Sequence, residues 1–121
     1  MNSANYFKIF NASAGTGKTF NLVKDYLILI LKSKNIGLFK KILAITFTNK
    51  AVNEMKRRII NYLINFSNST DPDFIMMNEI IKETKLSQDE IFLKSSKILN
   101  NILKNYSAFE ISTIDKFTQK I

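Results

Sequence analysis

The residues best placed to do chemistry lie near the start of the chain, in Asn11-Ala12-Ser13-Ala14-Gly15-Thr16-Gly17-Lys18-Thr19. Gly15 and Gly17 carry no Cβ, so the backbone can turn tightly and bring its N–H groups close to a phosphate chain. Lys18 has the reach to neutralise β- and γ-phosphates, and the Thr19 hydroxyl is a ligand for Mg²⁺. From Ala12 the order fits G-x-x-x-x-G-K-[ST] at every position but the first, where Ala12 stands for Gly. Phe20 follows at once and opens a long amphipathic run. The expected ligands are therefore a nucleotide's phosphate chain and Mg²⁺, the nucleotide being ATP by the family resemblance given below. Ala12, Ser13, Ala14, Gly15, Thr16, Gly17, Lys18, Thr19 and Phe20 form the candidate nucleotide site, with Lys18 and Thr19 in catalytic roles.

A second group is Thr46-Phe47-Thr48-Asn49, which follows an apolar run. An aromatic beside hydroxyl and amide groups suits a single nucleic-acid strand: Phe47 can stack on a base while its neighbours hold phosphates. The competing reading makes Phe47 a core residue and Thr48 or Asn49 a helix cap. Lys56, Arg57 and Arg58 read as a solvated face or as peripheral phosphate contacts. Asp89-Glu90 could pass for the acidic pair that binds Mg²⁺ in ATPases, but no buried strand precedes it. Ser87 and Glu90 instead have the spacing of a capping box.

The elements that must position these residues follow from pattern. Tyr6-Phe7-Lys8-Ile9-Phe10 reads as a short buried strand ending near Asn11. Residues 18–33 read as a helix with Phe20, Val23, Leu27, Ile30 and Leu31 at core spacing. Lys41 to Thr46 is a second strand, almost continuously apolar as in parallel sheets. A helix is expected from Asn49 to about Phe66, with Ala51, Met55, Ile59 and Leu63 on one face. Asp71-Pro72 then suggests a cap and a first helical position for a helix over 73–84. A further helix runs from the capping box to about Tyr106, Phe109 to Thr113 reads as a third strand, and Thr113 caps a last helix carrying Asp115 in its first turn. The predicted fold class is α/β: a parallel sheet flanked by helices on both faces, with a helical excursion between the second and third strands. The chain stops at Ile121 inside the last predicted helix, so it reads as the first part of a longer protein.

Composition narrows the classes. At 121 residues the chain has room for one modest core. It contains no Cys and no His, which excludes disulfides, thiol chemistry, an imidazole metal site and a His general base within it. Its apolar runs are too short and too charged to span a bilayer, so a cytoplasmic protein is expected. The net charge is +8, and it is uneven. Residues 1–60 hold eleven Lys and Arg against two Asp and Glu, whereas residues 61–121 hold seven against eight. A polyanion partner would use that excess; a Lys-rich solvated surface would also produce it.

Three segments together resemble a known family. Ala12 to Phe20 resembles the Walker A segment of superfamily 1 helicases of the UvrD/Rep type, in which the first Gly is commonly Ala. Ile45-Thr46-Phe47-Thr48-Asn49-Lys50-Ala51-Val52-Asn53-Glu54-Met55 is similar to their motif Ia, with Val52 where Ala is usual. Ser112-Thr113-Ile114-Asp115-Lys116-Phe117 resembles the motif after it, with Asp115 in place of His and Lys116 in place of Ser. A Walker A so near the start, with no Gln before it, resembles the RecB and AddA helicase-nuclease branch. The resemblance implies a RecA-like ATP-binding P-loop domain over residues 1–121, with residues 67–108 as a helical insertion. It implies ATP-driven movement on single-stranded DNA, 3′-to-5′, with duplex unwinding in repair and recombination. Thr46, Phe47, Thr48, Asn49, Thr113 and Asp115 would contact DNA, and a second helicase-nuclease subunit would be a partner. The acidic pair, the second lobe and any nuclease domain are not in this sequence, so the chain alone is expected to bind nucleotide weakly and not to hydrolyse it. Another P-loop enzyme, or a non-catalytic remnant that binds nucleic acid by charge, remain the alternatives.

Overall fold

The computed structural model describes residues 6–9, 16–46, 48–67, 73–109 and 111–113. Four helices dominate it: α1 (Thr16–Lys32), α2 (Asn49–Ser67), α3 (Phe74–Thr84) and α4 (Gln88–Lys104). Three short strands accompany them: β1 (Tyr6–Ile9), β2 (Ile42–Thr46) and β3 (Ile111–Thr113). The strands form one parallel sheet in the order β1-β2-β3.

The helices form because their apolar residues fall on one stripe. In α2, Met55, Ile59, Leu63 and Phe66 are buried at spacings of one helical turn. In α4 the buried set is Ile91, Ser95, Ile98 and Ile102. In α1, Val23, Tyr26, Leu27, Ile30 and Leu31 are all buried. These stripes meet, with Met76, Met77 and Ile80 of α3, in one core. Burying each Val, Leu, Ile, Phe or Met side chain among them stabilises the fold by about 1.5–3 kcal/mol.

Local signals set the ends. Ser87 Oγ accepts from the Glu90 amide at 3.1 Å, and the Glu90 carboxylate accepts from the Ser87 amide at 2.9 Å. The capping box is thus present as expected, which accounts for the acidic residues at that point. The α3 cap differs from expectation. Asp73, not Asp71, accepts from the Met76 amide at 3.2 Å, and the Asp73 amide donates to Asn65 Oδ1 at 2.8 Å. Asp71 and Pro72 lie outside the described residues. At the far end of α3, Lys85 adopts φ 60° and donates its amide to the Ile81 carbonyl.

The predicted architecture, a central parallel sheet flanked by helices with a helical excursion beside it, is overturned. The described chain is predominantly helical. Its helices run 17, 19, 11 and 17 residues, whereas its strands have only 4, 5 and 3. At about 1.5 Å per helical residue and 3.3 Å per strand residue, the described strands span about 10–17 Å and the three long helices about 26–29 Å. The principal packing is α2 on α4, and the main helix laid on the sheet is α2; α1 turns to α3, α2 and α4 instead. The stretch read as an excursion therefore supplies two of the four helices of the core, α3 and α4. Strand-like apolar runs reveal that strands exist, not that they form the central layer.

An aromatic cluster fixes the entry to β3. Phe109 is buried, with Tyr26, Phe39 and Tyr106 arranged edge-on around it at ring distances of 6.0, 6.3 and 6.1 Å.

Candidate nucleotide and strand site

Small as it is, the sheet decides where the candidate residues go. All three strands are parallel, so their carboxyl ends share one edge. Ile9 pairs in register with Ile45, Ile45 with Ser112, and Thr46 with Thr113. At about 4.8 Å between neighbouring strands, the three exits lie along roughly 10 Å of that edge. The chain leaves β1 at Ile9 and enters α1 at Thr16; it leaves β2 at Thr46 and enters α2 at Asn49. The start of α2, three residues on from Thr46, therefore adjoins the edge at which β3 also ends, and six residues separate β1 from the start of α1.

Those N-termini give the edge its electrostatic character. The first turns of α1 and α2 contain no acidic residue. Their leading N–H groups lack intrahelical partners, and their dipoles place partial positive charge there. An anion at this edge meets attraction without an opposing carboxylate from either first turn.

Each predicted residue can be placed or set aside. Thr16, Gly17, Lys18 and Thr19 form the first turn of α1. Phe20 follows, half-buried against the core. Ala12, Ser13, Ala14 and Gly15 lie outside the described residues, as do Phe47 and Asp115. Thr46 ends β2 and Thr113 ends β3. Thr48 caps α2: its hydroxyl accepts from the Ala51 amide at 3.0 Å and its carbonyl from Val52 at 3.1 Å. Asn49 is exposed at the first position of α2. The helix expected after Thr113 lies outside the described residues.

The basic run on α2 is engaged within the fold. The Glu54 carboxylate accepts from Arg57 Nη2 at 2.5 Å and from Arg58 Nε at 2.6 Å. Hydrogen bonds from Arg57 and then Arg58 hold that carboxyl below its ordinary range. Lys56 lies 5.1 Å from the ring centre of Tyr106 and 5.7 Å from that of Phe109. An open hollow of about 340 Å³ beside these residues is lined by Arg57, Arg58, Asn61, Tyr62, Asn65 and Asp73. Sequence reasoning did not find the hollow, because Asp73 joins it from the cap that precedes α3. The Glu54 spacing of three and four residues to the two arginines was the available signal for their pairing.

Among the described residues no group of three or more Asp, Glu, Cys or His side chains could hold a metal ion, and no helix is long and apolar enough to cross a membrane. A bound nucleotide fits this edge on one count: the first turns of α1 and α2 carry no acidic residue.

Comparison with known proteins adds a separate line of evidence. Residues 4–121 match the model of the UvrD/REP helicase N-terminal domain. The chain is 34% identical over 93% of its length to RecBCD enzyme subunit RecB of Borreliella burgdorferi, and 34% identical over 97% to that of Buchnera aphidicola. It is 31% identical over 83% of its length to an ATP-dependent helicase/nuclease subunit from Thermoanaerobacter sp.. It spans about a tenth of the length of these relatives, 10%, 10% and 8%. No solved structure matches it.

Proposed function

Given that the chain belongs to the UvrD/REP helicase N-terminal domain family, we propose that it is the ATP-binding part of a DNA helicase of the RecB/AddA helicase-nuclease kind. The observation that carries this reading is the shared sheet edge: β1, β2 and β3 end together, with Thr46 level with Thr113. The segments 45–55 and 112–117 begin at that edge, and the segment 12–20 starts three residues after β1 in sequence. Such an edge is where open parallel sheets bind ligands.

In this reading residues 12–20 enclose the triphosphate. Lys18 neutralises the β- and γ-phosphates, and Thr19 ligates Mg²⁺. ATP, when bound, supplies the free energy of γ-phosphoryl transfer to water. The part played by this chain is positioning and charge stabilisation. Main-chain amides at the start of α1 orient the phosphates, and Lys18 holds the transferring group's charge. A single DNA strand crosses the neighbouring exits, with Phe47 against a base. Thr46, Thr48, Asn49, Thr113 and Asp115 contact its backbone or hold the loops that do. Thr48 has the second role, because its hydroxyl already fixes the start of α2. The motor moves 3′-to-5′ in the cytoplasm, in repair and recombination, beside a second helicase-nuclease subunit.

The test uses the chain itself with a fluorescent ATP analogue and Mg²⁺. Weak, saturable binding is expected, with no hydrolysis. Lys18→Ala should weaken binding at least about tenfold, since a charge-assisted phosphate contact contributes about 1.5–3 kcal/mol. Undiminished binding by that variant, or turnover by the chain alone, would overturn the reading.

A further inference from the structure

The packing of α2 on α4 leaves apolar side chains along the outside of the contact. Lys56 Nζ lies 5.1 Å from the ring centre of Tyr106, which follows α4. From that point α2 runs back along α4, so the two are antiparallel neighbours in the principal helix packing of the fold. On α2, Lys56, Ile60 and Ile64 each come one residue after buried Met55, Ile59 and Leu63. On α4, Phe92, Leu99 and Leu103 each come one residue after buried Ile91, Ile98 and Ile102. In antiparallel right-handed helices, a step of one residue turns the side chain to the same side of the contact on both. The approach of Lys56 to Tyr106 places the two rows together on that side.

Between the rows runs a shallow apolar groove. Ile64, Phe92 and Leu103 are 44, 43 and 57% exposed, while Ile60 and Leu99 are half-buried and rest on the core. Phe92 to Leu103 spans about 16 Å, or three helical turns. The rim is basic. Lys97 and Lys104 are exposed on the outer flank of α4, two turns apart, and Lys56 closes one end. None of the three is in an ion pair among the described residues. No Asp or Glu occurs between residues 55 and 70 or between residues 91 and 109, so neither row carries an acid of its own.

We propose that this groove docks an amphipathic helix of a partner protein, with an aliphatic stripe flanked by acidic residues. A contiguous apolar strip between two helices is the seat that helix-in-groove recognition uses. Charge complementarity sets the flanks: an acidic helix meets the unpaired Lys97 and Lys104. The same rule disfavours a second copy of this chain, because each copy carries a net charge of +8 and an identical basic rim. The floor also disfavours a nucleic-acid strand. Ile60, Ile64, Leu99 and Leu103 are aliphatic and only Phe92 offers a ring, whereas bases stack on rings. The proposal does not depend on the nucleotide reading, since the groove begins about 10 Å along α2 from the strand exits.

The test adds the chain to a fluorescently labelled peptide of about 18 residues, with Leu along one helical stripe and Glu on both flanks, and follows anisotropy. Saturable binding is expected. Phe92→Ser/Leu103→Ser should weaken it at least about tenfold, and Ile64→Ser, on the facing helix, should weaken it as well. Lys97→Gln/Lys104→Gln should weaken it about threefold and reduce its salt dependence. All five positions are exposed, and unchanged circular dichroism would establish that the variants fold. Mg²⁺-ATP should leave peptide binding unaltered, and these variants should leave ATP binding unaltered, so failure here is distinguishable from failure of the nucleotide reading. The proposal is overturned if the peptide does not bind, if the same peptide with Lys in place of Glu binds as tightly, or if Phe92→Ser/Leu103→Ser binds like wild type. It is equally overturned if sedimentation shows a dimer that Leu103→Ser dissociates, or if a single DNA strand binds through Phe92 and Leu103. A form of the protein extended past Ile121 that covers the groove with its own chain and refuses the peptide would overturn it too.

Discussion

Tyr26 shows how a single residue can oppose the fold that contains it. Its side chain is fully buried, and its hydroxyl has no hydrogen-bond partner among the described residues. Burial pushes the phenol well above its usual pKa, the expected response of a group that would lose solvation on ionising. An unsatisfied buried donor costs about 1–3 kcal/mol. Tyr26→Phe removes the hydroxyl and keeps the edge contact with Phe109. Urea unfolding should show the variant more stable by about 1 kcal/mol; a loss of stability would mean that the hydroxyl has a partner. Glu54 behaves in the opposite way. Its folded pKa lies below its ordinary value because Arg57 and Arg58 donate to it. Its contribution is therefore complete above the ordinary carboxylate pKa and disappears as pH falls through the lowered one. Wild type should melt higher than Glu54→Gln at pH 7, and the gap should close as pH falls through the lowered value. A constant gap across that range would contradict the assignment.

At the scale of elements, α1 is held at both ends by different means. Its first turn follows β1 by six residues in sequence, whereas its last carbonyls accept from Lys94 of α4, 61 to 63 residues away in sequence. A cation at a helix C-terminus is favourable by dipole and by hydrogen bond. Lys94→Met keeps the aliphatic stem and removes the ammonium, so it should lower stability by about 2 kcal/mol in chemical unfolding. An unchanged midpoint would show the bond to be incidental. These elements also mark what a reader of sequence can recover. The Ser87–Glu90 box and the α2 stripe are local, and both appear where pattern places them. The Asp71-Pro72 cap misled because Asp73, two residues on, has an Asn65 side chain to meet. The Lys94 bond has no local signature. Tyr26 lies between two apolar core positions in α1, yet its polar end kept it out of the predicted core.

At the scale of the molecule, the apolar runs of β1 and β2 suggested a sheet with helices on either side, but the core is helix on helix. Periodicity reports which face of an element is buried, not which element covers it. The common edge of the strands is a different matter. Parallel pairing follows from strand–helix–strand order, so the common edge of Ile9, Thr46 and Thr113 was implicit in the chain. Their level register was not, since one residue of slip would change which neighbours meet. The most direct measurement is an amide chemical-shift titration of the ¹⁵N-labelled chain with Mg²⁺-ATP. Shifts should concentrate at residues 12–20 and at the exits near Thr46, Thr48 and Thr113, leaving Lys97 and Lys104 unmoved. Saturable shifts confined to α3 and α4, or none at millimolar nucleotide, would contradict the account.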